Sequence, residues 1–157
     1  MRGSLAQHLE TTLRDHAEVR EEQNVSETQP IDIKVKWSLS AQLSLIEIKW
    51  LGQSVSADGT DLATRYDAPA RPRAGAKQLA DYLEENKQRT PDLETEGYLV
   101  VYDARRANVK AVPAEISDDE AVAFRNAEIE YNPDYEAERS DFREPRRFWL
   151  EPKLLAG

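Results

Sequence analysis

The sequence predicts an α/β protein in which a mixed β-sheet is flanked by helices. Three observations carry that expectation. Residues 31–37 and 43–50 alternate apolar and polar side chains with the period of two that a half-covered strand requires. Ala76, Leu79, Ala80 and Leu83 recur at the spacing of an amphipathic helix. "GYLVVYDA" is an unbroken apolar run of strand length, suited to a central strand covered on both faces.

The elements follow in order. Ser4 with Gln7 three residues later forms a capping box ahead of Leu5, Leu9 and Leu13, so a first helix is expected over about 5–18. The opening "MRGS" reads as a cloning remnant or disordered start, leaving one domain over 5–157. A short strand is expected near 19–25. Ile31, Ile33, Val35 and Trp37 then share one strand face, with Asp32, Lys34 and Lys36 on the other. In the next run Ser44, Ile46, Ile48 and Trp50 share a face, opposite Leu43, Leu45, Glu47 and Lys49. Only "SLSAQ" separates the two runs, so a tight hairpin joins them. Residues 51–73 hold Gly52, Gly59, Pro69 and Pro72 with no sustained period and read as a long loop. The second helix covers about 74–87 and the buried strand follows. In the C-terminal extension, about 105–157, Ser117 and Glu120 open a brief helix through about Asn126. "AEIEY" and "RRFWLEP" read as strands, with Arg146 and Arg147 outside the core.

Composition narrows the function classes. At 157 residues the chain has the size of one domain able to bury a core unaided. It lacks an apolar run of membrane-spanning length and a signal-like N-terminus, so a soluble cytoplasmic protein with no membrane partner is expected. Without cysteine there is no disulfide, thiolate zinc site or thiol nucleophile. The net charge of −9 argues against coating nucleic acid by bulk attraction, so any phosphate contact must be local. No Gly-rich phosphate loop is present, and His8 and His16 are too far apart on one helix to chelate as an i, i+4 pair.

The hairpin raises a chemical question. If its centre lies between Leu39 and Ser40, opposed residues have numbers summing to 79, and Asp32 faces Glu47. Lys49 shares the face of Glu47 by parity. Two adjacent carboxylates repel when ionised, and a hard divalent cation, Mg2+ or Mn2+, relieves this through oxygen ligands. Lys49 would then orient or help deprotonate an attacking water, or steady charge developing at phosphorus. The alternative is an exposed ion-pair ladder worth a few tenths of a kcal/mol, on the order of 0.5. On the second helix Gln78 and Tyr82 share a face, and Tyr82 would border a substrate groove. Arg65, Arg71 and Arg73 offer fork donors for phosphate, while Trp50 shares the parity of Ile46 and Ile48 and belongs to the core.

"PID", with Asp32, followed by "EIK", with Glu47 and Lys49, and then by the helix bearing Gln78 in "KQLADYL", resembles the PD-(D/E)XK nuclease superfamily. The resemblance implies a restriction-endonuclease-like αβββαβ core over about 5–104. It implies Asp32 and Glu47 as metal ligands, Lys49 as the catalytic lysine and Gln78 as the supporting helix residue, with Glu10 a further acid from the first helix. The activity implied is that of an Mg2+- or Mn2+-dependent endonuclease on DNA, in a prokaryotic restriction, defence or repair system. Many relatives cut as homodimers, and the acidity of this chain implies another domain or subunit that supplies substrate affinity. Two other readings are a catalytically inactive nuclease-fold module that docks a protein partner, and an unrelated α/β interaction domain whose hairpin charges are surface pairs.

Overall fold

The computed structural model describes residues 2–24, 30–66, 69–112 and 115–151. In chain order the elements are α1 (Arg2–Thr12), β1 (Ala17–Asn24), β2 (Pro30–Trp37), β3 (Gln42–Val55), β4 (Leu62–Tyr66), α2 (Ala70–Arg89), β5 (Glu94–Asp103), α3 (Asp118–Val122), α4 (Tyr135–Glu138) and β6 (Arg146–Trp149). They build a mixed α/β fold on one six-stranded sheet of order β1-β2-β3-β5-β6, with β4 paired to the far end of β3. The strands β1, β2 and β3 run antiparallel in succession, whereas β5 lies parallel to β3 and β6 parallel to β5. No helix among the described residues is long and apolar enough to cross a membrane.

The strand β3 sets the geometry. Its side chains alternate between two cores, one under each long helix. On one face Leu43, Leu45 and Leu51 pack with Leu79, Ala80 and Leu83 of α2 and Leu99 and Val101 of β5. On the other, Ile48 packs with Ile33 and Val35 of β2 and Ala6 of α1, edged by Leu5, Leu9 and Trp50. Each fully buried Leu or Ile contributes about 1.5 to 3 kcal/mol relative to exposure, so the period-two pattern fixes which face of β3 meets which helix. The partner of β3 changes at Gly52. Leu51 is the last residue opposite β5, and Gly52 is the first opposite β4. Gly52 has φ +136°, and a Cβ there would stand 3.0 Å from the Ala104 carbonyl oxygen. Only glycine suits that bend.

Several sequence expectations are corrected. The first helix ends at Thr12 rather than near Glu18, because Ala17 is already opposite Trp37 in the β1–β2 ladder. Ser4 lies inside α1, which begins at Arg2, so it does not cap the helix. The supposed loop over 51–73 is mostly structured, comprising the end of β3, β4 and the first turn of α2. This hairpin escaped the period-two search because its residues are mostly polar and exposed, tied by Gln53 Nε2 donating to the Ala63 carbonyl and Ser54 Oγ to that of Thr64. Pro72 lies in the first turn of α2, where a missing N–H has no helical partner to lose. "AEIEY" is not a strand: Ile129 and Tyr131 pack against the α2-side core, and Arg73 Nε donates to the Glu130 carbonyl at 2.7 Å. The Ser117 and Glu120 capping box forms as expected.

Arg147 also departs from expectation. Rather than lying outside, its Nε donates to Asp103 Oδ2 at 2.8 Å, and its remaining nitrogens reach the carbonyls of Phe124 and Arg125. Asp103 is fully buried at the end of β5 and also receives Arg105 through Nε at 3.0 Å and Nη2 at 2.7 Å. One carboxylate therefore ties β6 and the segment after α3 to the central strand. Burial would raise the Asp103 pKa, but the bonds from Arg105 and Arg147 outweigh it and hold the group below the ordinary value. A depressed folded pKa makes this contribution complete above the unfolded value near 4, and it is lost as pH falls through the folded one. Asp103→Ala is expected to lower stability by about 3 to 5 kcal/mol at pH 7, because it strands buried Arg105. Urea denaturation should show the gap to wild type closing as the medium is acidified below about pH 4; a gap independent of pH would contradict this.

Candidate active site

The β2–β3 hairpin adopts the register read from the sequence, with Ile33 opposite Ile46, Lys34 opposite Leu45, Val35 opposite Ser44 and Lys36 opposite Leu43. The ladder stops at Ile33 and Ile46. One residue further on stand Asp32 and Glu47, and here a side chain replaces the backbone as the partner: Ile48 N–H donates to Asp32 Oδ2 at 2.8 Å. A buried amide released from a ladder must find an acceptor, and the Asp32 carboxylate supplies one that is charged and therefore strong. The same change of course explains Ile31, which joins the α2-side core instead of the opposite face it was expected to share with Ile33.

Asp32 is 5 % exposed and Glu47 1 %. Glu47 follows Leu45 on the α2 face of β3, and Lys49 lies two residues on. Its Nζ donates to Glu47 Oε1 and, at 3.1 Å, to Gln78 Oε1 of α2. Gln78 Nε2 donates in turn to the Tyr82 hydroxyl at 2.9 Å. The chain Glu47, Lys49, Gln78, Tyr82 thus crosses from sheet to helix through side chains alone. Tyr82 senses both acids. Burial raises its pKa most, the bond from Gln78 opposes this, and the charges of Glu47 and Asp32 raise it further. Asp32, Glu47, Lys49, Gln78 and Tyr82 are therefore brought to one place.

The other residues singled out lie elsewhere or are engaged. Glu10 is exposed on α1, and α1 packs on the Ile33 and Ile48 face of the sheet, opposite Glu47, so it does not join the acids. Tyr82 is buried and supports Gln78 from behind rather than bordering an open groove. Arg71 and Arg73 belong to the first turn of α2, not to a loop. Arg71 stacks its guanidinium 4.0 Å from the Tyr66 ring centroid, and Arg73 is tied to Glu130. Arg65 is exposed on β4. Trp50 stacks on Tyr102 at 5.0 Å between centroids, a packing role as expected.

One contributor went unseen in the sequence. Gly75, buried within α2, lies directly over Lys49: a Cβ there would stand 2.6 Å from Lys49 Cε and 2.7 Å from Cγ. The missing side chain lets the lysine stem run beneath the helix to Gln78. A glycine inside a helix costs about 1 kcal/mol relative to alanine, and "RAGAKQL" carries one where propensity alone favours alanine. That conflict was the available signal. Among the described residues no group of three or more His, Cys, Asp or Glu side chains converges as a metal cluster, so the site consists of two carboxylates, an amine and an amide. Comparison with family models, curated proteins and solved structures found no match.

Because Gly75 and Gln78 act on the same lysine, Gly75→Ala and Gln78→Ala should not combine additively. Each disrupts the Lys49 to Gln78 contact, so denaturation of the single and double variants is expected to give a coupling of about 0.5 kcal/mol or more. Strict additivity would mean that the glycine does not position the lysine.

Proposed function

We propose that this chain is a metal-dependent phosphodiesterase that cleaves nucleic acid, with DNA as its substrate, and that it serves a prokaryotic restriction, defence or repair system in the cytoplasm. The observation that carries the reading is the joint burial of Asp32 and Glu47 where β2 leaves β3, with Lys49 held between Glu47 and Gln78. An exposed ion-pair ladder would leave these acids in water. Here both are withdrawn from solvent at real desolvation cost, and such a cost is commonly met at sites where charge does chemical work. The element order α1, β1, β2, β3, then α2 and β5 is compatible with the nuclease family that "PID" and "EIK" resemble.

Asp32 and Glu47 are the residues that would hold Mg2+ or Mn2+. They fit by type and number, since magnesium commonly takes one or two carboxylates and completes its shell with water and substrate phosphate. The bound ion would supply an acidic water and neutralise charge on the phosphate. The rest of the work falls to the chain. The Lys49 ammonium, beside Glu47, donates to the attacking water or to the oxygen on which charge builds during in-line displacement. Gln78 fixes the direction of that ammonium, and Tyr82 fixes Gln78. Asp32 keeps one oxygen on Ile48 N–H, which holds its carboxylate in place. Affinity for a long polyanion would come in part from a second subunit or domain, in keeping with the net charge of −9.

Plasmid cleavage with Mg2+ or Mn2+ tests this. Wild type is expected to nick supercoiled DNA, and Asp32→Ala and Lys49→Ala to lose roughly 10²-fold or more of the rate. Mn2+ at a hundredfold excess over its Kd should stabilise wild type by about 2.7 kcal/mol and leave Glu47→Gln unmoved. An inert wild type with no cation-induced stabilisation overturns the reading and favours an unrelated α/β interaction domain, whereas no cutting with tight partner binding favours the inactive docking module.

A further inference from the structure

Beside the acids lies a face of the sheet that neither long helix covers. The helix α1 packs on β1 and β2 from one side, while α2 packs mainly on β3 and β5 from the other. Among the described residues, the part of the α2-side face of β1 and β2 beyond Ile31 and Asp32 is therefore uncovered, and four charged residues line it. Arg20 is directly opposite Lys34, and Glu18 directly opposite Lys36. Together they border a surface pocket of about 220 Å³. Lys34 is opposite Leu45, whose side chain faces α2, so it lies on the face of Glu47. It is also only two residues from Asp32, about 7 Å along an extended strand.

The charge of this patch contradicts that of the whole chain: three cations and one acid stand on a molecule of net charge −9. Like charges directly opposite on neighbouring strands destabilise a sheet, and Arg20 opposite Lys34 is such a pair. Glu18 is engaged by Arg20, whose Nε reaches its Oε1 at 2.8 Å. Neither Lys34 nor Lys36 has a carboxylate within ion-pairing distance among the described residues. An anion resting there would relieve the repulsion.

We propose that the open face of β1 and β2, through Lys34 and Lys36 beside Arg20, docks the phosphodiester backbone of the nucleic-acid strand that enters the site at Asp32 and Glu47. This rests on the hydrolytic reading above and adds where the substrate lies. Two ammonium groups on alternate residues of one strand form a row leading from the acids, the kind of cationic track that holds a polynucleotide without reading its bases.

The test is binding of labelled single-stranded and duplex oligonucleotides in chelator, where no cutting occurs, against salt concentration. Wild type is compared with Lys34→Gln/Lys36→Gln and with the charge-matched control Lys87→Gln/Lys110→Gln. Loss of two phosphate contacts should reduce the salt slope by about 1.4 for single strands or about 1.8 for duplex, so that affinity between 50 and 200 mM salt changes about tenfold less than in wild type. The control should retain the wild-type slope. Equal behaviour of the two double variants, or no binding by wild type, overturns the docking surface. Cleavage assays separate this from the parent reading. Asp32-dependent cutting with binding insensitive to Lys34 and Lys36 removes the docking surface alone; patch-dependent binding with no metal-dependent cutting removes the hydrolytic reading alone.

Discussion

The site depends on the place where β2 stops pairing with β3. Up to Ile33 and Ile46 the two strands satisfy each other through the backbone. Beyond it, the Ile48 amide turns to a carboxylate. A regular ladder would have set Asp32 against Glu47 as a closed cross-strand pair, with little room between their oxygens. Where the ladder ends, bonding Asp32 to Ile48 N–H ties the end of β2 to β3. The cost of the lost ladder bonds is met locally by a charge-assisted bond.

The long strand β3 makes that local event consequential. It joins β2, β5 and β4, separates the two cores and carries both Glu47 and Lys49. Leu45 before the acid and Leu51 after the lysine are both buried against α2. Glu47 and Lys49 thus interrupt an otherwise apolar stripe and are drawn inward by the packing of their neighbours. Gln78 sits between buried Leu79 and the engaged face of α2, so the same packing that seats the helix delivers the amide to the lysine.

Much of this was legible in the sequence because burial there has a short period. Alternation in 31–37 and 43–50 fixed the register, and register fixed the face on which Glu47 and Lys49 emerge. The spacing of Ala76, Leu79, Ala80 and Leu83 placed Gln78 over them. Where no apolar period exists, the reading failed: β4 and its hairpin are polar and exposed, and "AEIEY" alternates without a strand to pair with. Glu10 was misplaced because a sequence does not state which side of the sheet α1 covers. Arg147 looked like a surface charge because its partner, Asp103, lies 44 residues away. Ile31 broke its own pattern at the point where the strands part, a three-dimensional event without a local signature.

The passage of Lys49 beneath Gly75 has a temporal side. The ammonium reaches Gln78 only once the helix has settled on the sheet, and the glycine closes over the stem as it does so. An intermediate with its strands assembled but its second helix undocked would own both acids and lack the oriented amine. The oriented amine therefore depends on the seating of α2, whereas both acids are carried by the strands alone.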